Sequence, residues 1–138
     1  MNIVCDTNVL VSGLINPFGP PGEIIRMVIS TKFNLIYDAR IISEYQRVLS
    51  YPKFKFNAKQ IDNLLEQIQA NGLLITPTPL KNKLPHPSDS VFLEAAFATK
   101  VKYLITGNLK HFPKSHTENI EAISPAQFIE LIRSAFDK

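Results

Sequence analysis

The sequence predicts an α/β protein of three layers, in which helices cover both faces of a mostly parallel sheet. Short apolar runs alternate along the whole chain with longer segments in which apolar residues recur every three or four positions. Such alternation is typical of strand–helix–strand units, which build parallel sheets. The length of 138 residues suits one domain, so we expect residues 1–138 to form a single unit.

Composition and charge exclude several classes of protein. Hydrophobic residues make up 45% and charged residues 20% of the chain, which is the balance of a folded domain rather than a disordered one. Cys5 is the only cysteine, so the chain cannot form an internal disulfide. The apolar N-terminus lacks a basic start and is interrupted at Asp6, and no apolar run approaches the roughly 18 residues of a membrane span. We therefore expect a soluble, cytoplasmic protein.

The first half of the chain contains two predicted strands and three predicted helices. In order, they are a strand at residues 2–5, a helix at 9–15, a helix that begins at Pro21, a strand at 33–37 and a helix at about 39–50. Pro17 ends the first helix, and Pro21 suits the first turn of the second. Asp38 is the expected N-cap of the third helix because its carboxylate can accept a hydrogen bond from a free backbone amide.

The second half contains three more strands and three more helices. They are a helix at 57–71, a strand at 73–76, a helix that Ser88 caps, strands at 101–106 and 120–123, and a last helix from Ser124. Asn57 with Gln60, and Ser124 with Gln127, have the spacing of capping boxes. Gly72 is the expected C-terminal stop of the first of these helices.

Polar residues fall where the predicted strands and the adjoining helices meet. Asp6 directly follows the first strand, Asp89 lies in the first turn of its helix, and Asn108 lies just past the strand at 101–106. Glu44 lies within the helix after the second strand. Ligands of such sheets bind beyond the carboxyl ends of the strands, so these four side chains could converge there.

Converging carboxylates repel each other unless a cation compensates their charge. Oxygen ligands suit Mg²⁺ or Mn²⁺, which can orient a phosphodiester and activate water, so the pattern indicates hydrolysis of a nucleic-acid backbone. Taken singly, each residue also fits an ordinary structural role: Asp6 as a helix cap, Glu44 as a solvated acid, Asp89 as a first-turn acid and Asn108 as a turn residue. The prediction depends on their joint placement.

At these positions the sequence resembles the PIN-domain family, in particular the bacterial toxin components of toxin–antitoxin pairs. The resemblance extends over nearly the whole chain and is carried by DTNVLVSGL at 6–14, ISEYQRVL at 42–49, SDSVFLEAA at 88–96 and LITGNLKHF at 104–112. Each motif is weak alone, but their order and spacing together are fairly specific.

The resemblance implies that Asp6, Glu44 and Asp89 are the catalytic, metal-binding acids of a Mg²⁺- or Mn²⁺-dependent endoribonuclease that cleaves single-stranded RNA. It also implies a sheet of about five parallel strands, a homodimer or higher homo-oligomer, and a small antitoxin protein as partner. Asn108 stands where many members have Asp; its amide oxygen can still bind a metal but brings no charge. The alternative is therefore a catalytically weakened PIN domain that binds RNA or protein.

Several other features have two interpretations each. Glu94 could replace the missing acid, but it lies about 140° around the helix from Asp89 and could equally be a surface acid. Asn8 and Thr106 could hydrogen-bond the metal-binding carboxylates or be simply a cap and a strand end. The KFKF segment at 53–56 could stack bases, although a half-buried edge with solvated lysines is the commoner case.

Two further possibilities are disfavoured. His86, His111 and His116 lack the mutual spacing of metal ligands, so we assign none of them a catalytic role. A phospho-acceptor receiver domain would need a pair of acids after the first strand, where the chain has only Asp6.

Overall fold

A computed structural model describes residues 1–136 and contains one sheet of five parallel strands. The strands are β1 (Asn2–Cys5), β2 (Asn34–Tyr37), β3 (Leu73–Leu74), β4 (Tyr103–Ile105) and β5 (Glu121–Ile123), and their order in the sheet is β3-β2-β1-β4-β5. The predicted α/β class and the parallel sheet are confirmed.

Helices connect and cover these strands. They are α1 (Thr7–Ile15), α2 (Pro20–Ile29), α3 (Ala39–Leu49), α4 (Ala58–Asn71), α5 (Ser90–Thr99), α6 (Lys114–Thr117) and α7 (Pro125–Phe136). Short 3-10 turns lie at Pro52–Phe54, Pro87–Asp89 and Leu109–His111. Among the helices of residues 1–136, none has both the length and the apolar character needed to cross a membrane.

The central strand β1 explains where a ligand site should lie. Ile3, Val4 and Cys5 are fully buried because β1 pairs with β2 on one side and with β4 on the other. From β1 the chain adds β2 and β3 in one direction, whereas β4 and β5 continue in the other. The direction of winding therefore changes between β1 and β4, and the crevice at their carboxyl ends is the favoured place for a ligand.

Most predicted caps are confirmed by the hydrogen bonds. Asp38 accepts a hydrogen bond from the backbone N–H of Ile41 at 2.9 Å. Asn57 accepts hydrogen bonds from two backbone amides in the first turn of α4. Ser124 and Gln127 form the predicted reciprocal capping box, with distances of 3.0 and 3.1 Å.

The predicted N-cap of α5 is wrong, whereas the predicted end of α4 at Gly72 is confirmed. Ser88 does not cap α5, because a 3-10 turn at Pro87–Asp89 comes first and Asp89 is the residue before the helix. Gly72 ends α4 with an extended backbone (φ −87°) rather than a left-handed one. Its lack of a side chain is instead required by the close approach of the Leu35 and Ile68 carbonyls.

Candidate metal centre

Asp6 lies at the carboxyl end of β1, in the crevice that faces β4. Only 5% of its surface is exposed, and its Oδ2 accepts hydrogen bonds from Thr106 Oγ1 at 2.9 Å and from Asn8 Nδ2 at 3.1 Å. Asp6 is the N-cap residue of α1, but its side chain makes no capping hydrogen bond. The carboxylate is thus oriented by Thr106, which follows β4, and by the side chain of Asn8 in the first turn of α1.

The turn after β4 forms the other wall of the crevice. Thr106 Oγ1 accepts a hydrogen bond from the backbone N–H of Asn108, and Asn8 Oδ1 accepts one from the backbone N–H of Gly107, both at 3.0 Å. Asn8 and Thr106 therefore connect the Asp6 carboxylate to this turn, which is the first of the two roles that the sequence left open for them.

Asp89 lies in the 3-10 turn before α5 and is near enough to Asp6 for their charges to interact. Burial raises the pKa of Asp6 to about 6; the Thr106 hydrogen bond opposes this rise, and the charge of Asp89 adds to it. Burial also raises the pKa of Asp89, His111 and His86 oppose that rise, and Glu44 adds to it. Asp89 thus interacts electrostatically with both Asp6 and Glu44 and links the three predicted acids.

One oxygen of Asp89 is in an unusual environment. Asp89 Oδ2 is buried and has no aligned hydrogen-bond donor among residues 1–136, although His111 Nδ1 lies 2.9 Å away. The His111 ring stacks on His86 with 4.0 Å between the ring centroids. The two histidines are far apart in sequence, so spacing rules could not find this pair. The sequence prediction that left His111 outside the site missed its contact with Asp89.

Glu44 lies at the rim of the crevice. Its side chain is 24% exposed, and Arg47, one turn further along α3, lies 2.9 Å from its Oε1. The next residue, Tyr45, is fully buried and donates a hydrogen bond of 2.6 Å to the backbone carbonyl of Cys5. Tyr45 therefore fixes α3 against the end of β1, while Glu44 remains at the surface with an arginine as its partner.

Asn108 and Glu94 are placed less favourably for a metal than the three acids. The side chain of Asn108 is exposed, in the turn that begins the 3-10 segment. Glu94 is buried and pairs with Arg40 at 2.8 Å, so its interpretation as a surface acid is wrong. Glu94 also accepts a hydrogen bond from the backbone N–H of Leu80, and these partners hold it away from Asp89.

The donor set has two features that a divalent cation fits. Burial raises the pKa of both Asp6 and Asp89, the charge of Asp89 adds to the rise at Asp6, and the basic neighbour of Asp89 Oδ2 is a histidine, which is charged only when it is protonated. A hard cation would satisfy both features. In the part of the chain that the structure describes, however, no three His, Cys, Asp or Glu side chains are grouped closely enough to hold an ion as they stand. Asp6 and Asp89 are near enough to interact, and Glu44 would have to turn inward for the three acids to share an ion.

Comparisons with known proteins agree with this architecture. The profile of the PIN domain matches residues 2–110. An uncharacterized protein of Methanocaldococcus jannaschii is 26% identical over 141 aligned residues, which cover 94% of this chain and 90% of that protein.

Two solved structures share the fold. One is VapBC2 from Rickettsia felis bound to a DNA fragment from their promoter, with a TM-score of 0.57, 14% identity, and coverage of 90% of this chain and 98% of that one. The other is VapBC-1 from nontypeable Haemophilus influenzae, with a TM-score of 0.56, 16% identity, and coverage of 91% and 99%. The profile match extends over most of the sequence, and the chain therefore belongs to the PIN-domain family, a family of nucleases.

Proposed function

We propose that this protein is a metal-dependent endoribonuclease that cleaves phosphodiester bonds of single-stranded RNA in the cytoplasm. In this proposal Asp6, Glu44 and Asp89 are the catalytic residues and hold Mg²⁺ or Mn²⁺, and Asn108 supplies a further, neutral oxygen. The family match supports nuclease activity in general, whereas the metal, the substrate and the residue roles are our inference.

The observation that carries the proposal is the buried Asp89 Oδ2 beside Asp6. A buried carboxylate oxygen without a donor costs free energy, and a second carboxylate nearby increases that cost. Because His111 can compensate only when it is protonated, it is not a permanently charged partner of the pair. A divalent cation between the two acids would remove the cost.

The residues of the crevice would then have different roles. A bound cation would neutralise charge on the phosphate and make a water molecule more acidic. Thr106 and Asn8 would keep the Asp6 carboxylate in one orientation, as second partners of metal ligands commonly do. Glu44, at the rim, would exchange Arg47 for the cation or for one of its water ligands.

We further propose that the nuclease is the toxin of a toxin–antitoxin pair, inhibited by a small antitoxin and assembled as a homodimer or higher homo-oligomer. Both similar solved structures are VapBC toxin–antitoxin proteins, which supports a partner of this kind. The test is co-expression with the product of the neighbouring reading frame, which should copurify and suppress cleavage.

A second candidate is a weakened PIN domain that binds RNA or protein without efficient cleavage. The exposed, uncharged Asn108 and the pairing of Glu44 with Arg47 favour it, because both reduce the negative charge available to a metal. Binding of RNA without cleavage would identify this case.

The deciding experiment is cleavage of end-labelled single-stranded RNA by the purified protein in Mn²⁺. We expect cleavage by the wild type, none in EDTA, and a loss of at least about a hundredfold in Asp6→Asn, because the variant removes charge at the metal. Asp62→Asn, an exposed acid on α4, is the matched control and should retain full activity. Equal cleavage by the wild type and Asp6→Asn would show that the activity does not arise from this site.

A further inference from the structure

Three aromatic rings are stacked in sequence at the turn between α3 and α4. The Tyr51 and Phe54 centroids are 6.2 Å apart at an interplanar angle of 20°, and those of Phe54 and Phe56 are 5.4 Å apart at 17°. We call Tyr51, Phe54 and Phe56, with Lys53 and Lys55, the aromatic turn. All three rings are only partly buried, so their near-parallel planes form a short platform at the surface.

The backbone explains why the rings share one side. Lys55 has φ of 56°, in the left-handed region that a residue with a side chain seldom adopts. This conformation reverses the chain, so Phe54 and Phe56 face each other instead of pointing in opposite directions as they would in a strand. Phe56 packs against the hydrophobic core and anchors the stack. Phe54 stacks between Phe56 and Tyr51, so Tyr51 is the outer ring.

The charge around the platform is strongly positive. From residue 45 to residue 61 the sequence has four cations, Arg47, Lys53, Lys55 and Lys59, and no acid. Lys53 Nζ lies 5.2 Å from the Phe54 centroid, and the Arg47 guanidinium lies 5.6 Å from the Tyr51 centroid. Stacked rings surrounded by cations offer both surfaces that a single-stranded nucleic acid presents: flat bases and anionic phosphates.

The aromatic turn is continuous with the candidate metal centre. Arg47 pairs with Glu44 on one side and hydrogen-bonds the Tyr51 hydroxyl on the other. Tyr51 lies two residues past the end of α3, so the contacts of Arg47 join the two regions directly. A strand lying on the platform would thus lead directly to the rim of the crevice.

We propose that the aromatic turn is a binding site for unpaired bases of single-stranded RNA, next to the cleavage site; this rests on the nuclease function proposed above. Bases stack on the Tyr51–Phe54 end of the platform, and Arg47, Lys53 and Lys55 contact the flanking phosphates. Paired bases in a duplex do not expose their faces, so this site selects single strands. The stacked rings favour RNA over an acidic protein partner, because RNA offers flat bases as well as negative charge.

The test measures binding without cleavage. A fluorescein-labelled 12-nucleotide single-stranded RNA is titrated in EDTA with wild type, Phe54→Leu and Phe18→Leu, and the dissociation constant is read from anisotropy. Leucine keeps apolar volume but has no aromatic face, and Phe18, 93% exposed on the α1–α2 loop, is the matched control. Phe54→Leu should weaken binding at least about fivefold, since stacking contributes about 1–3 kcal/mol per base. Phe18→Leu should bind like the wild type.

A 12-mer of the same charge with abasic sugars separates stacking from charge. We expect wild type and Phe54→Leu to bind it equally and weakly, because it offers phosphates but no bases. Tyr51→Leu, at the outer end of the stack, repeats the test if Phe54→Leu lowers the melting temperature. Equal affinity of the wild type and both variants for the normal 12-mer would overturn the proposal, as would the same loss with the abasic RNA.

The outcomes also distinguish this site from the nuclease function. If the RNA-binding loss is found but Mn²⁺ gives no cleavage, the aromatic turn stands and the catalytic proposal fails. If cleavage depends on Asp6 while Phe54→Leu binds RNA normally, the nuclease stands and this site does not. If Phe54→Leu bound RNA normally but no longer bound the antitoxin, the aromatic turn would be a protein-docking surface, against our proposal.

Discussion

Two pairs of buried acids lie at the carboxyl end of the same sheet, and they are neutralised in different ways. Asp38 and Glu94 are 5% and 8% exposed, and Arg40 contacts both, at 2.9 and 2.8 Å. Asp6 and Asp89 are equally buried, at 5% and 8%, but their basic neighbour is His111. The first pair has a permanently charged internal cation, and the second has a histidine, which is charged only when it is protonated.

The comparison separates the acids that are paired within the chain from those that we propose to bind metal, which burial alone does not. Because Arg40 is always charged, the Asp38–Glu94 pair is complete within the chain. The Asp6–Asp89 pair retains an unpaired buried oxygen, and the pKa of both acids is raised. A buried pair that lacks a cation of its own is suited to bind one from solution.

The largest expected effect concerns the pair without an arginine. The pKa of Asp6 is raised from 3.8 to about 6, a difference of about two pH units or about 3 kcal/mol. The raised pKa means that the native state binds the Asp6 proton more tightly than the unfolded state does. This stabilises the folded protein fully below pH 3.8, and the stabilisation is lost as pH rises through about 6. In EDTA, Asp6→Asn should therefore be more stable than wild type by up to about 3 kcal/mol at pH 7.5 and about equal to it near pH 4.

Urea denaturation at the two pH values measures this difference. Asp62→Asn, on the exposed face of α4, is the control and should match the wild type at both. Added Mn²⁺ should narrow the gap at pH 7.5, because the cation stabilises only the protein that binds it. A variant no more stable than wild type at pH 7.5 would show that the Asp6 carboxylate is not under electrostatic strain.

The second effect tests the pair that has an arginine. Arg40→Met leaves Asp38 and Glu94 buried without their cation, and removing one partner of a buried pair costs about 3–5 kcal/mol. Since the Arg40 side chain is 47% exposed, water replaces part of the lost interaction, and we expect a loss of about 2 kcal/mol. The measurement is the urea midpoint at pH 7.5.

A double variant provides the control for this experiment. Glu94→Gln in the Arg40→Met background removes one uncompensated charge and should restore part of the stability. Arg47→Met, at a more exposed arginine on the same helix, should leave the midpoint nearly unchanged. If Arg40→Met were as stable as Arg47→Met, the two acid pairs would not differ in the way that we infer.

The fold was predictable from local signals because each of them is short in range. Strand β1, the Asp38 cap and the Ser124–Gln127 box depend on residues within a few positions of one another. Predicted strands came out shorter both at a sheet edge, 73–76 against Leu73–Leu74, and in the interior, 101–106 against Tyr103–Ile105. Ser88 failed as a cap because the 3-10 turn at Pro87–Asp89 precedes α5.

The candidate site was only partly predictable. The positions of Asp6, at a strand end, and of Asp89, at a helix start, follow from local patterns, but their neutralisation depends on side chains that only the fold brings together. Arg40 is 54 residues from Glu94, and His111 is 22 residues from Asp89. No periodic pattern records such pairs, and for this reason the sequence offered Glu94 as a substitute ligand and omitted His111.

The smallest expected effect is a gain in Mn²⁺ affinity at the Asp6–Asp89 pair. The backbone N–H of Asn108 donates a hydrogen bond to Thr106 Oγ1, and Thr106 Oγ1 donates one to Asp6 Oδ2. Asn108→Asp keeps that backbone hydrogen bond and adds a carboxylate at the crevice. We expect Mn²⁺ to bind about tenfold more tightly, a difference of about 1.4 kcal/mol, because hard cations gain affinity with ligand charge.

Titration calorimetry measures this affinity at pH 7.5, where Asp6 is ionised, with Asn119→Asp as an exposed control. An unchanged Mn²⁺ affinity in Asn108→Asp would place this turn outside the metal's reach and confine the site to Asp6, Asp89 and Glu44.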